Sequence, residues 1–146
     1  MSTNLIYNGN FSLPSITANS SLNYTSFTTA QSAAYYWTAA GQYSAIINGV
    51  PNTTFSNPSL VGCTQSCYLL NISSIQQSFT VPFAGSYILS FYYSLRTGYV
   101  LSNMEIYIND VLVDTITQNP TNWSMYINTV SSRNLNIDVL VELITQ

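Results

Sequence analysis

From about Gln77 to Leu143, apolar and polar residues alternate through four runs separated by turn signals. Tyr87, Leu89, Phe91 and Tyr93 fall on one side of the first run, with Ser90 and Ser94 on the other. Met104, Ile106 and Ile108 share a side of the second, and Val111 and Val113 follow the Asn109-Asp110 turn. Trp123, Met125 and Ile127 form a third series, and Leu135, Ile137, Val139 and Val141 a fourth. Side chains along a strand point alternately to opposite faces, so a period of two predicts strands with one face buried. The class this implies is antiparallel β.

The first half is less regular. Leu5-Ile6-Tyr7 predicts a short strand ended by the turn pair Asn8-Gly9. Residues 12 to 34 are rich in Ser, Thr, Asn and Ala and predict a long connection with one or two edge strands. Tyr35-Tyr36-Trp37-Thr38 is a β-prone aromatic cluster, and Ala45-Ile46-Ile47 predicts another short strand. Residues 51 to 67 hold two prolines and both cysteines and predict a loop. Strands follow from Tyr68, from Ile75 to Val81, and from 86 to 94, with Asn119-Pro120-Thr121-Asn122 dividing two later ones. No window of a dozen residues has helical spacing. Short strands divided by turns at this interval predict one β-sandwich domain over 1–146.

Composition narrows the function classes. The chain has 146 residues, 47% of them hydrophobic, which suits one domain with a real core. Only 5% are charged, with formal net charge -3, no histidine, and Arg96 and Arg133 as the only cations. Two arginines neutralise too few phosphates for nucleic-acid binding. No apolar run approaches the length of a transmembrane helix, so membrane insertion is not expected. Met1-Ser2-Thr3-Asn4 lacks the basic and apolar regions of a secretory signal, which leaves a cytosolic product, a particle component, or a signal already removed. A surface with so little charge repels its neighbours weakly and favours self-association or assembly.

Chemistry is sparse. Without His or Lys there is no base for a Ser-His-Asp or Ser-Lys nucleophile. Glu105, Asp110, Asp114, Asp138 and Glu142 are spread over strand faces and a hairpin, where carboxylates are ordinarily solvated. No catalytic residue is assigned, and no metal site or cofactor is expected. Cys63 and Cys67 have C-x3-C spacing with no further Cys or His to complete a zinc shell, so a local disulfide is expected, two free buried thiols being the alternative. Trp37, Trp123, Tyr87 and Phe91 are expected in the core, while Tyr35, Tyr43, Tyr92, Tyr99 and Tyr126 are ambiguous. Sugar recognition uses exposed aromatic faces with amides and an arginine. Tyr93-Ser-Leu-Arg96-Thr-Gly-Tyr99 brings those types together, which makes Tyr93, Arg96 and Tyr99 the candidate glycan ligands.

Asn4-Leu-Ile-Tyr-Asn-Gly-Asn-Phe11 followed by Pro14, then Trp37, Ile75-Gln-Gln-Ser-Phe-Thr-Val81, Ser86-Tyr-Ile-Leu-Ser-Phe-Tyr-Tyr93 and Met104 to Asp114, together resemble galactose-binding-like jelly rolls. The resemblance covers most of the chain. It departs from the usual pattern at the hairpin turn, Asn109-Asp110, and in having no acidic residue before Glu105 to hold a structural calcium. Related modules occur in capsids and surface structures of large DNA viruses and in carbohydrate-binding modules. The resemblance therefore implies a non-enzymatic virion component, of minor capsid, cement, penton-cap or fibre type, assembled in host cytoplasm and contacting other capsid or surface proteins. The alternative is an extracellular carbohydrate-binding module that recognises host-surface glycans.

Overall fold

The computed structural model describes residues 4–13, 15, 24–27, 35–41, 45–49, 64–69, 72–94, 102–118, 120 and 122–145. Among them run ten strands: β1 (Tyr24–Phe27), β2 (Thr38–Gly41), β3 (Ala45–Gly49), β4 (Gln65–Leu69), β5 (Ser73–Thr80), β6 (Gly85–Tyr93), β7 (Ser102–Ile108), β8 (Val111–Ile116), β9 (Ser124–Ser132) and β10 (Asn136–Thr145). All pairings are antiparallel. One sheet has the order β2-β5-β10-β7-β8, a second β1-β3-β4, and a third is the pair β6-β9. Chain neighbours such as β5 and β6 lie in different sheets, so the chain passes back and forth between layers. This is an all-β antiparallel sandwich.

Three apolar clusters join the layers. Trp37, Ala39, Ile47 and Ile75 bind the five-stranded sheet to β3 and β4. Val81, Ile108, Val130, Ile137 and Val139 bind it to β6 and β9, with Tyr87 and Leu89 packed on them. Ile106, Ile116 and Tyr126 extend that contact, with Phe91 and Tyr93 alongside. The inner row of β6 is therefore the predicted one. Ile137 and Val139 on β10, and Ile106 and Ile108 on β7, also face inward as the alternation requires. At the β7–β8 turn Asn109 and Asp110 both take positive φ, 50° and 65°. That is the two-residue hairpin geometry whose twist matches the flanking strands, and short Asn and Asp side chains tolerate it.

Four expectations need correcting. Leu5 to Tyr7 is not a strand. Its backbone is matched by a side chain instead: the Tyr7 N–H donates to Gln77 Oε1 at 2.8 Å, and Gln77 Nε2 donates to the Tyr7 carbonyl at 2.9 Å. Leu5 packs on one core cluster and Ile6 on another, so the segment lies over the seam between them. Second, β4 begins at Gln65, inside the expected loop, and its Cys67 pairs with Ile47.

Third, Cys67 carries a free thiol, so the expected disulfide is not formed; Cys63 lies outside the described residues. The reason is register: β4 packs Cys67 against the Trp37 cluster. Part of the residue stays accessible, but burial of the thiol pushes its pKa up to about 12.

The fourth correction is the phase of β9. Met125 and Ile127 are 53% and 61% exposed, whereas Tyr126 and Val130 are buried. Both phases of this strand carry apolar residues, so alternation alone cannot choose between them. Pairing with β6 decides: Tyr126 lies opposite Phe91 and Val130 opposite Tyr87, and directly opposed residues share a face. The Phe91 and Tyr126 rings stack at 4.8 Å.

Candidate functional site

Near Trp37, polar side chains replace backbone pairing. The Trp37 indole is 6% exposed, stacks on Phe11 at 5.4 Å, and donates from Nε1 to the Asn8 carbonyl at 3.0 Å. Asn8 is at φ 50°, and its side chain works as a clamp. Nδ2 donates to the carbonyls of Leu13 (2.8 Å) and Tyr35 (3.1 Å), while Oδ1 accepts from the Leu13 N–H (3.0 Å). Gln65 Nε2 donates to the Phe11 carbonyl at 2.7 Å. With the Gln77 bonds to Tyr7, these fasten segment 7–13 to the sheets and to residues 35–37.

The product of this fastening is an exposed aromatic pair. Tyr7 and Tyr36 stack with centroids 5.2 Å apart and planes 24° from parallel, yet remain 59% and 56% exposed. Tyr36 stands at φ 74°, a conformation that costs a bulky residue free energy and persists only where its surroundings impose it. The two rings cover each other's inner faces and leave their outer faces to solvent, where an apolar ring face can stack. The amides that build the corner are mostly engaged with backbone, so the rings are its free chemistry.

An open groove of about 500 Å³ lies between β8 and β9, with Val111, Val113 and Val130 on its apolar walls and Asn128, Ser132 and Arg133 on its polar ones. Arg133 is the only cation among the described residues. The Ser132 hydroxyl donates to the Asn134 carbonyl and accepts its N–H, a local turn that sets the chain direction at Arg133. Asn128 Nδ2 donates to the Tyr126 hydroxyl at 3.1 Å. Burial raises the Tyr126 pKa, a hydrogen bond with Asp114 on β8 raises it further, and the Asn128 bond opposes them.

Of the sequence-predicted ligands, Tyr93 ends β6 half-buried, edge-on to Phe91 at 6.3 Å and packed on the Ile106 cluster. Arg96 and Tyr99 lie outside the described residues, as does Tyr43. Tyr92 is exposed, Tyr35 half-buried and Tyr126 buried. Tyr7 and Tyr36 were not singled out by sequence, because each sits in a segment that reads as β-prone. The available signal was Asn8-Gly9 beside Tyr7 and a second tyrosine next to Trp37, but only long-range packing joins them.

Three of the carboxylates, Glu105, Asp138 and Glu142, occupy the outer face of the five-stranded sheet. Asp138 accepts from Gln76 Nε2 at 2.6 Å and from Ser78 Oγ at 2.7 Å. Glu105 and Glu142 are direct cross-strand partners on β7 and β10, and the Tyr107 hydroxyl donates to Glu105. That bond, ahead of burial and the charges of Glu105 and Glu142, raises the Tyr107 pKa. Among the described residues no three His, Cys, Asp or Glu side chains gather as metal ligands.

No family model matches the chain, and no curated protein matches its sequence. Among solved structures it is similar to a family 35 carbohydrate-binding module from Clostridium thermocellum, with TM-score 0.53 and 19% identity over 84% of this chain and 88% of that one. At this identity the likeness is one of fold.

Proposed function

We propose that the protein is a non-catalytic carbohydrate-binding module whose ligand stacks on Tyr7 and Tyr36. The observation that carries this reading is the exposed, stacked tyrosine pair on a fold similar to that of a carbohydrate-binding module. Pyranose rings present C–H faces to aromatic surfaces, and the Gln77 bonds that fasten the Tyr7 backbone before binding reduce the entropy lost on ligand capture. A non-catalytic role agrees with the acids: Glu105 and Glu142 sit side by side on an open sheet face, whereas glycoside hydrolysis needs two carboxylates flanking the scissile bond.

The experiment is a glycan-array screen of the intact protein, followed by calorimetry on the strongest ligand. Tyr36→Ala is expected to weaken binding about tenfold, the scale of one lost aromatic contact. Arg133→Ala, in the β8–β9 groove, is expected to leave it unchanged. The reverse result would move the ligand to the β8–β9 groove, and retention of no glycan would sink the reading.

A second reading is a non-enzymatic subunit of a virus particle, placed in the virion rather than outside cells. The uncharged apolar outer side of β6 and β9 favours it, because such a surface suits protein contact. Incorporation of the tagged protein into purified particles tests it, and absence from them counts against it.

A further inference from the structure

The outer face of the β6–β9 pair is apolar where a solvated sheet face is ordinarily polar. Ile88 is 70% exposed, Ile127 61%, Met125 53% and Tyr92 51%. The register sets them in a pattern. Ile88 lies opposite Thr129, Ser90 opposite Ile127, and Tyr92 opposite Met125. Large side chains therefore stand beside small ones across the middle of the strip, and serines close its far end. None of the outward residues on either strand is charged. The acids Glu105, Asp138 and Glu142 sit on the outer side of the five-stranded sheet, in the other layer.

We infer that this face is a homodimer interface, on which a second copy of the chain packs sheet to sheet about a two-fold axis. Three observations select a second copy over a different partner. The face carries no charge with which to choose an oppositely charged protein, and two copies meeting here bring no like charges together despite the net charge of -3. Its large–small alternation is self-complementary: in an isologous contact, Ile127 of each copy can enter the gap over Ser90 or Thr129 of the other, as facing sheets interdigitate in a sandwich. The area also fits. Four large apolar side chains, half to seven-tenths exposed, present roughly 100 Å² each. With the small residues between them, two copies remove about 1,000 Å², the lower limit of a specific interface and well short of an obligate one. The dimer is thus a weak, reversible one.

This inference does not depend on the glycan reading, since Tyr7 and Tyr36 belong to other elements. Sedimentation velocity of the intact protein from micromolar to millimolar concentration should show monomer converting to dimer. Ile127→Lys, at an exposed position, should raise the dissociation constant more than tenfold with an unchanged melting temperature. Leu112→Lys, on the exposed edge strand β8, should not alter it. Concentration-dependent methyl shifts at Ile88 and Ile127 of the unmutated protein give the same answer without a substitution. A monomer at every concentration overturns the inference. So does a dimer abolished by Leu112→Lys but not by Ile127→Lys, which would mean edge pairing. Glycan binding that survives Ile127→Lys, or fails while dimerisation persists, keeps the two claims separate.

Discussion

The two ends of the sandwich are held by different means. Around Trp37, single polar side chains do what ladders do elsewhere: Gln77 pairs with the Tyr7 backbone, Asn8 with Leu13 and Tyr35, and Gln65 with Phe11. Around β6 and β9, nine consecutive cross-strand pairs and an inward row of Tyr87, Leu89 and Phe91 suffice. One end is specified by a few residues, each with several bonds, and the other by a repeated pattern in which any one residue matters less. The clusters meet at Val141, which packs against both. The specified end also carries the exposed tyrosines, which places the proposed binding surface where the backbone has least regular support.

The largest test of this contrast is Trp37→Ala. It removes a buried ring and one of the two donors to the Asn8 carbonyl, which keeps the Phe11 N–H, so a loss of about 3–5 kcal/mol is expected in urea unfolding, most of it from the cavity. Leu89→Ala, half-buried within the repeated pattern, should cost clearly less. Equal losses would mean that the two ends are specified alike.

Alkaline pH gives the next effect. Burial raises the Cys67 thiol from the ordinary 9.0 to about 12. The folded state therefore holds this proton more tightly than the unfolded chain. Its contribution is fully present below pH 9 and is lost as pH climbs from there toward 12, at a slope of up to roughly 1.4 kcal/mol per pH unit. Tyr126, raised mainly by burial, adds a slope of the same sign above 10. Urea midpoints measured between pH 8 and 10 should fall in the unmutated protein and stay flat in Cys67→Ala. A slope that persists in the variant would place the titrating group elsewhere.

Gln77→Ala is expected to cost about 1–3 kcal/mol, because it leaves the Tyr7 N–H and carbonyl without their partner. It should also weaken glycan binding by freeing Tyr7. Its neighbour Gln76 points to the outer face, where its amide meets Asp138. Gln76→Ala should cost less, about 0.5–1 kcal/mol, because its bond to Asp138 is only part-buried and Asp138 keeps the Ser78 hydroxyl. Thermal melts of the two variants compare a clamp with an ornament of the same chemistry.

This contrast also explains what was legible in the sequence. β5, β6, β7 and β10 were readable because burial on one face imprints a period of two, and Asn109-Asp110 was readable because its turn demands positive φ; β8 is exposed from Val111 to Thr115 and carries no such imprint. The phase of β9 was not, since Met125 and Ile127 compete with Tyr126 and Val130 and only the register with β6 decides. The Trp37 end was less legible still. Gln77 is one of many amides in the chain, and nothing local distinguishes one that reaches residue 7 from one that meets water. The tyrosine pair shares that fate, as its members lie far apart in sequence. The apolar outer row of β6 and β9 was visible as apolar residues but was assigned inward for β9, so the strip it forms with Ile88 and Tyr92 could not be seen.

The smallest expected effect falls on the regular end. Glu105 and Glu142 are directly opposed on β7 and β10, and like charges so placed destabilise a sheet. Arg133, the only cation among the described residues, lines the groove beside β9 rather than this face. Glu105→Gln removes the repulsion and keeps an acceptor for the Tyr107 hydroxyl, so it should stabilise the fold by about 0.2–1 kcal/mol at low salt. The gain should shrink as salt screens the pair, and Tyr107 should ionise at lower pH once Glu105, the main cause of its raised pKa, is neutral. Denaturant midpoints at two ionic strengths and a spectrophotometric tyrosine titration measure both. A gain that ignores salt would assign it to packing and would remove electrostatics from the account of this face.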